Sequence, residues 1–387
     1  MVFLRWFHTV LFRFGSRTCT RVRLHFKFLT PMLIRFSFLG FCCLALCFFP
    51  NCKKEPVQSA PVPWKAAPGF LYHNRIAFNS AIWDDQLYVL TENALCTVKP
   101  DGNVSWYAYH NEKTEFQSTL NRDFFVVTQH DPDVLIFIPS ANPEEAGAKR
   151  IRINMSDLGA DITGFAHNFS NASFSDNGAG QVLANFRTTS DRQALFLFDV
   201  KMKKNDFWEV DEVRFKRINL PESYVYTGIC VVNDQFLVRC IPDLSQQSTL
   251  LIDTTGNVAV VASELGLFPV LPIGDTLFAH EGNATYLSTN QGNSWVALQG
   301  HHPGLDFLFV MEGHTTIDSR LIMHSSFGIY QIERSAEGKI SQTELDLAGL
   351  EGNTILNLHE WRGQVFAVTL TGVYSRSVQD FFTKRQY

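Results

Sequence analysis

From about residue 75 onward, apolar and polar positions alternate in short runs divided by turn-forming residues, the pattern of strands rather than helices. The stretch SAIWDDQLYVLTENALCTVKPDGNVSWYAYH predicts four strands, at 80–83, 86–91, 94–99 and 103–109. The breaks are Asp84-Asp85, Glu92-Asn93 and Pro100-Asp101-Gly102. In the last, proline fixes φ and glycine accepts a positive φ. Similar units follow: QSTLNRDFFVVTQHDPDVLIFIPS to KRIRIN, SFSDNGAGQVLANF to VRFKRINL, GICVVNDQFLVRC to STLLIDTTGNVAVVA, FPVLPIGDTLFAHEGNATYLSTNQGNSWVAL, FLFVMEGH to SQTEL, and TILNLHEWRGQVFAVTLTGVYSRSVQDFFTK. They recur about every forty to fifty residues, the period of a β-propeller. A lone four-stranded sheet exposes both faces; packing the units radially buries both and removes most edges. The expected fold is all-β, a propeller of seven blades with six or eight as alternatives, over residues 69–387. The segment LYHNRIAFN, residues 70–78, is expected to close the ring as a strand of the last blade. A pair of β-sandwiches is the alternative fold.

The N-terminal residues follow different rules. Residues 1–51 hold seven basic side chains and no carboxylate, so the other 26 basic residues face all 38 acidic ones. A body this acidic does not offer phosphate a basic face, which argues against nucleic-acid binding. Residues 36–50, FSFLGFCCLALCFFP, are almost wholly apolar. That is short of the roughly twenty residues of a membrane span and fits the apolar region of a signal peptide. MLIR precedes it, Cys52 and two lysines follow, and Pro56, Pro61, Pro63 and Pro68 make the next stretch an extended tether.

Read from Met32, this arrangement resembles a bacterial lipoprotein signal, which implies that Cys52 is diacylated and becomes the mature N-terminus. The usual pattern has Leu at −3 and a small residue at −1; here those are Phe49 and Asn51. Such relaxed signals resemble those of spirochaetes and Bacteroidetes. Cys47 is the competing site, and an ordinary signal peptide or an uncleaved anchor the competing readings. The expected organisation is an extended N-terminus over 1–31 with translation starting at Met32, a signal peptide over 32–51, and lipidated Cys52 with its tether over 52–68. A long basic leader or a membrane-surface segment are alternatives for 1–31. The resemblance implies membrane attachment through acyl chains in the cell envelope, with Lys53 at +2 pointing to the outer membrane.

Within the propeller region, YLSTNQGNSW carries S-x-N-x-G-x-x-W on Ser288, Asn290, Gly292 and Trp295. It resembles the Asp-box of BNR and sialidase-like propellers, with asparagine for aspartate. The resemblance implies a hairpin between the third and fourth strands of a blade, whose role is structural. LYVLTENALCTVKPDGNVSW resembles a blade of PQQ-type propellers, a family that includes an outer-membrane assembly lipoprotein. A sialidase would need three arginines on the substrate carboxylate, a Tyr–Glu nucleophile pair and an acid/base Asp. The arginines at 75, 187, 239 and 320 are scattered over several units, and NRIAF only loosely resembles the entry motif of that family.

Other candidate chemistry is sparse. His301-His302 lacks a third metal ligand at suitable spacing. Asp84-Asp85 and Asp131-Pro132-Asp133 read as turn acids. No phosphate loop, dinucleotide fingerprint or nucleophile elbow occurs, and no cofactor or metal is expected. The run KMKKNDFWEVDEVRFKR reads as a long solvated hairpin, with Phe207 and Trp208 as an exposed partner contact. Cys230 and Cys240 flank a hairpin turning at Asn233-Asp234, which sets Cys230 opposite Leu237 and leaves the thiols free. The expected function is binding of a protein or glycan partner without catalysis. A sialidase-like glycoside hydrolase and an assembly lipoprotein of PQQ type are the alternatives.

Overall fold

A computed structural model describes residues 62–385 except 68–76, 92–93, 100–102, 109–117, 121–122, 129–133, 142, 144–148, 167–173, 191, 221–223, 243–245, 269, 283, 299–312, 336–338 and 371. The signal region, Cys52 and Met32 therefore lie outside the described residues. So do Arg75, the His301-His302 pair and the first residues of the sixth unit.

Seven antiparallel sheets stand in chain order, each with its first strand at one side and its last at the other. Blade 1 is Ala77–Trp83, Gln86–Thr91, Ala94–Val98 and Val104–Ala108, within three residues of the boundaries expected from the pattern. Blade 2 runs from Ser118–Leu120 to Ile151–Asn154. In blade 3 the first position is shared by Ile162–Phe165 and Phe174–Asp176, both paired to Gln181–Thr188. Blades 4, 5 and 6 begin at Tyr224–Val232, Val270–Ile273 and Gly313–Ile317. Blade 7 takes Ile355–Trp361, Gln364–Thr369 and Val373–Ser377. First strands neighbour one another from blade 6 through blades 7, 1, 2 and 3 to blade 4, with Ala77–Trp83 adjoining Ile355–Trp361, and shared apolar clusters join blade 5 to blades 4 and 6, so the ring closes.

The core is not one cluster but seven, one in each seam between blades. Strand Gln86–Thr91 shows why. Leu87 and Val89 pack toward blade 7, whereas Tyr88 and Leu90 pack toward blade 2. A strand buried on both faces needs an unbroken apolar run, which is what LYVL and its counterparts provide.

Two corrections concern the chain's path. The outer strand of blade 7 is Lys65–Ala66; of the segment expected there, residues 70–76 lie outside the described residues, and 77 and 78 begin the first strand of blade 1. The last part of the expected tether, residues 62–67, thus belongs to the propeller, with Trp64 only 4% exposed. Among the described residues, two short helices also occur where none was expected, Met155–Leu158 and Val378–Phe381. The second follows Ser377, whose hydroxyl oxygen accepts from the amide of Asp380 at 3.1 Å, a side-chain cap that ends the strand locally. The hairpin around Asn233-Asp234 pairs Cys230 with Leu237, and Cys96, Cys230 and Cys240 are free thiols. Burial pushes the thiols of Cys230 and Cys240 up to about 12.

Candidate functional site

The two ends of the ring differ. One end carries the turns between first and second and between third and fourth strands. Four of its first-to-second turns are two-residue turns with both φ positive: Asp84-Asp85, Asn233-Asp234, Asp318-Ser319 and Arg362-Gly363. These match the right-handed twist of the flanking strands. Of the aspartates expected as turn acids, Asp84 and Asp85 do that work here, and Asp131 and Asp133 lie outside the described residues.

Bonds between blades brace this end. Asp85 accepts from the guanidinium of Arg362 and from Trp361 Nε1, the latter at 2.8 Å. The Arg362 hydrogen bond, then that of Trp361, holds the Asp85 carboxyl at about 2. Asn177 Nδ2 donates to Asp234 O at 2.9 Å, Gln181 Nε2 to Thr254 O at 2.8 Å, and the Asp318 amide to Glu360 Oε2 at 2.6 Å.

The Ser288–Trp295 turn lies at this braced end, joining Ala284–Ser288 to Val296–Ala297. Ser288 Oγ donates to Asn290 Oδ1 (2.9 Å) and accepts from the amide of Gly292 (2.9 Å). Asn290 Oδ1 also accepts from the amide of Ser294 at 3.0 Å. Gly292 sits at φ +87°, where a side chain is strained. Trp295 Nε1 donates to Gly292 O at 3.0 Å, and its half-buried ring packs on the seam between blades 4 and 5.

The long hairpin of blade 3 is present as Gln193–Lys204 and Trp208–Arg217. Its aromatics are not the exposed anchor expected. Phe207 and Trp208 are both half-buried. Trp208 packs edge-on against Trp83 of blade 1, with centroids 5.3 Å apart, and Lys204 lies 5.4 Å from its ring. Trp208 thus spends its aromatic surface on the ring itself.

The opposite end carries the second-to-third turns and the blade-to-blade connections. Between the two ends, midway along their length, the first strands of blades 7 and 1 meet through polar groups. Ser80 Oγ lies 2.7 Å from His359 Nε2, and Asn357 Nδ2 donates to Asn79 Oδ1 at 3.3 Å. Both strands carry a bulge just before, between Ala77 and Asn79 and between Ile355 and Asn357, which re-aims the side chains that follow. Solvent reaches part of the His359 ring, but protein encloses it. Desolvation, helped by nearby His324, lowers its pKa to about 4. His314, on the first strand of blade 6, is likewise lowered by desolvation although part of its surface is open.

Among the described residues, Ser80 is the hydrogen-bond partner of His359 and no carboxylate orients the ring. The cluster is a neutral surface of amides, a hydroxyl and imidazoles. Sequence reasoning missed it because its members lie almost 280 positions apart.

Of the arginines considered for a substrate carboxylate, three are described, and they do not converge. Arg187 is the last residue but one of the second strand of blade 3, and Arg239 lies within that of blade 4. Arg320 begins that of blade 6, at the braced end, stacked 4.0 Å over Phe382. No group of three metal-ligating side chains occurs among the described residues.

No family model matches this chain, and no curated protein matches it significantly. Among solved structures it is similar to virginiamycin B lyase from Staphylococcus aureus, at 10% identity over 78% of this chain and 94% of that one, with a TM-score of 0.44. It is also similar to the extracellular domain of a hybrid two-component system from B. thetaiotaomicron (10% identity, 83% of this chain and 43% of that one, TM-score 0.46). A third is the WD40 domain of Neurospora crassa Pan2 (11% identity, 84% and 97%, TM-score 0.44). The chain itself, by its seven sheets and seven apolar seams, is a seven-bladed β-propeller with one braced end and one loop-bearing end.

Proposed function

We propose that this chain is a non-catalytic lipoprotein of the bacterial cell envelope whose propeller binds a protein or glycan partner at its loop-bearing end. The difference between the two ends carries the binding half. Two-residue turns and inter-blade bonds occupy one end, whereas the connecting loops stand at the other, with the neutral polar wall on the first strands between them. Amides, hydroxyls and neutral imidazoles both donate and accept hydrogen bonds, so they suit amide or hydroxyl groups of a partner. The braced turn at Ser288–Trp295 is read as an Asp-box-like hairpin, and the bonds of Ser288 and Asn290 to turn amides support that reading.

The anchoring half rests on Cys52 in FFPNCKKEP, and on acyl chains as the source of membrane affinity. Two experiments test the halves separately. A labelled fatty acid should enter the wild-type chain and not Cys52→Ser; label persisting in the variant rejects the site. A photo-crosslinker at Phe327, 69% exposed in a second-to-third turn, should capture a partner that one at Asp275, at the braced end, does not. The reverse pattern rejects the loop-bearing end as the binding surface.

A further inference from the structure

The seam between blades 4 and 5 contains two charged side chains that have no counter-ion among the described residues. Arg239 lies on the second strand of blade 4, Gln235–Pro242, and Glu281 ends the second strand of blade 5, Thr276–Glu281. In a strand, residues two apart share a face. Leu237, Leu277 and Ala279 belong to one apolar cluster between these blades. Leu237 and Leu277 also flank the same point, 3.4 and 3.6 Å from where a Cβ on Gly292 would lie. By this alternation Arg239 and Glu281 face this seam from opposite walls, each closer to the loop-bearing end than Leu237 and Leu277. Neither forms an ion pair among the described residues, and Glu281 Oε2 is buried without a hydrogen-bond partner there.

Arg239 is instead fixed by Gln247, whose Oε1 accepts from Nε at 2.8 Å and from Nη2. The connection between the blades packs on it: a Cβ at Gly266 would lie 2.9 Å from Arg239 Nε. Thr249 pins that connection, donating to Leu265 O at 2.8 Å and accepting from the Leu267 amide at 2.9 Å. Across the ladder from Arg239 stands Gly228, with the Phe268 ring over it. The guanidinium is thus held in place by Gln247, on one wall of the seam whose other wall carries a carboxylate oxygen that lacks a donor among the described residues. Where a buried arginine serves packing in this ring, it is paired: Arg376 donates to Asp346 Oδ2 at 2.8 Å.

We propose that this seam is a small-ligand subsite in which Arg239 receives a carboxylate and Glu281 accepts a hydrogen bond from a hydroxyl or ammonium group of the same molecule. Hydroxy acids and amino acids are the simplest members of that class. The subsite rests on the reading that the loop-bearing end binds, but not on the lipid anchor or the macromolecular partner. Calorimetric titration of the full chain with L-lactate, L-alanine and their methyl esters tests it. Lactate offers only the hydroxyl and alanine only the ammonium, so the stronger of the two identifies the donor. At least one acid should bind saturably and its ester should not. Arg239→Gln should weaken that acid about tenfold or more, the usual loss for a charge-assisted contact. Glu281→Gln should weaken it while retaining the wild-type unfolding midpoint or raising it. Equal binding of acid and ester, binding unchanged in Arg239→Gln, or no saturable binding by either acid, as for a merely water-filled gap, overturns the subsite. Partner crosslinking at Phe327 that survives such a failure leaves the broader binding reading standing.

Discussion

Trp64 provides the sharpest test of where the folded domain begins. It lies in a stretch whose prolines and alanines read as tether, yet its side chain is buried in the seam between blades 6 and 7. Its ring meets Phe381 edge-on at 5.9 Å and lies 5.9 Å from the Arg376 guanidinium. Its indole nitrogen points to Asp346 O at 3.5 Å, and its amide donates to Ala348 O at 2.7 Å. Gly349, at φ +92°, lets the chains approach: a Cβ there would be 2.6 Å from Trp64 O. A buried indole removes about 200 Å² from water, worth roughly 5 kcal/mol at 25 cal/mol per Å². Core aromatic-to-alanine changes cost about 3–5 kcal/mol, so Trp64→Ala should destabilise by about 4 kcal/mol. Trp64→Phe, which keeps part of the contact, should cost about half as much. Urea unfolding followed by far-UV circular dichroism measures both, and the thermal midpoint of the alanine variant should fall by roughly 5–10 °C. A loss below about 0.5 kcal/mol, as for a solvated tether residue, refutes the assignment of 62–67 to the ring.

Two further predictions concern the seam of blades 7 and 1 and the blade 5 turn. His359 is held neutral at about 4 in the fold, against an ordinary value of 6.5. The unfolded chain therefore binds its proton first as pH falls, so stability drops between about pH 6.5 and 4, by up to about 3 kcal/mol. His359→Gln should flatten that part of the stability–pH curve, and an unchanged slope counts against the enclosed ring. In the turn, Gly292→Val should be severely destabilising because a β-branched residue resists φ +87°. Trp295→Ala should cost about 2–3 kcal/mol, below the full core value because the ring is half-buried. Asn290→Asp should be neutral or stabilising, since a charged acceptor binds amides more strongly. Unfolding midpoints decide all three, and a Trp295→Ala protein with unchanged midpoint but lost binding would make the turn part of a binding surface.

Alternation of apolar residues, interrupted by Asp-Asp, Asn-Asp and Pro-Asp-Gly, determined the strands of blade 1 and the repeat that makes a seven-bladed ring. Those signals are local: side chains alternate with period two, and two-residue turns demand particular residues. The same locality made the register of Cys230 with Leu237 legible from the Asn233-Asp234 turn alone. Closure was not local. A two-residue strand such as Lys65–Ala66 has no periodicity to detect, and only the vacant outer edge of blade 7 and the seam that receives Trp64 make it a strand. Phe207 and Trp208 looked exposed because charged neighbours surround them in sequence, but the hairpin's path brings Trp208 onto Trp83. Ser80 with His359, and Arg239 facing the seam of Glu281, are products of ring geometry, which joins residues that no spacing rule connects. Short-range sterics and side-chain alternation therefore wrote the blades into the sequence. The seams, where the chemistry lies, exist only once separate blades pack face to face.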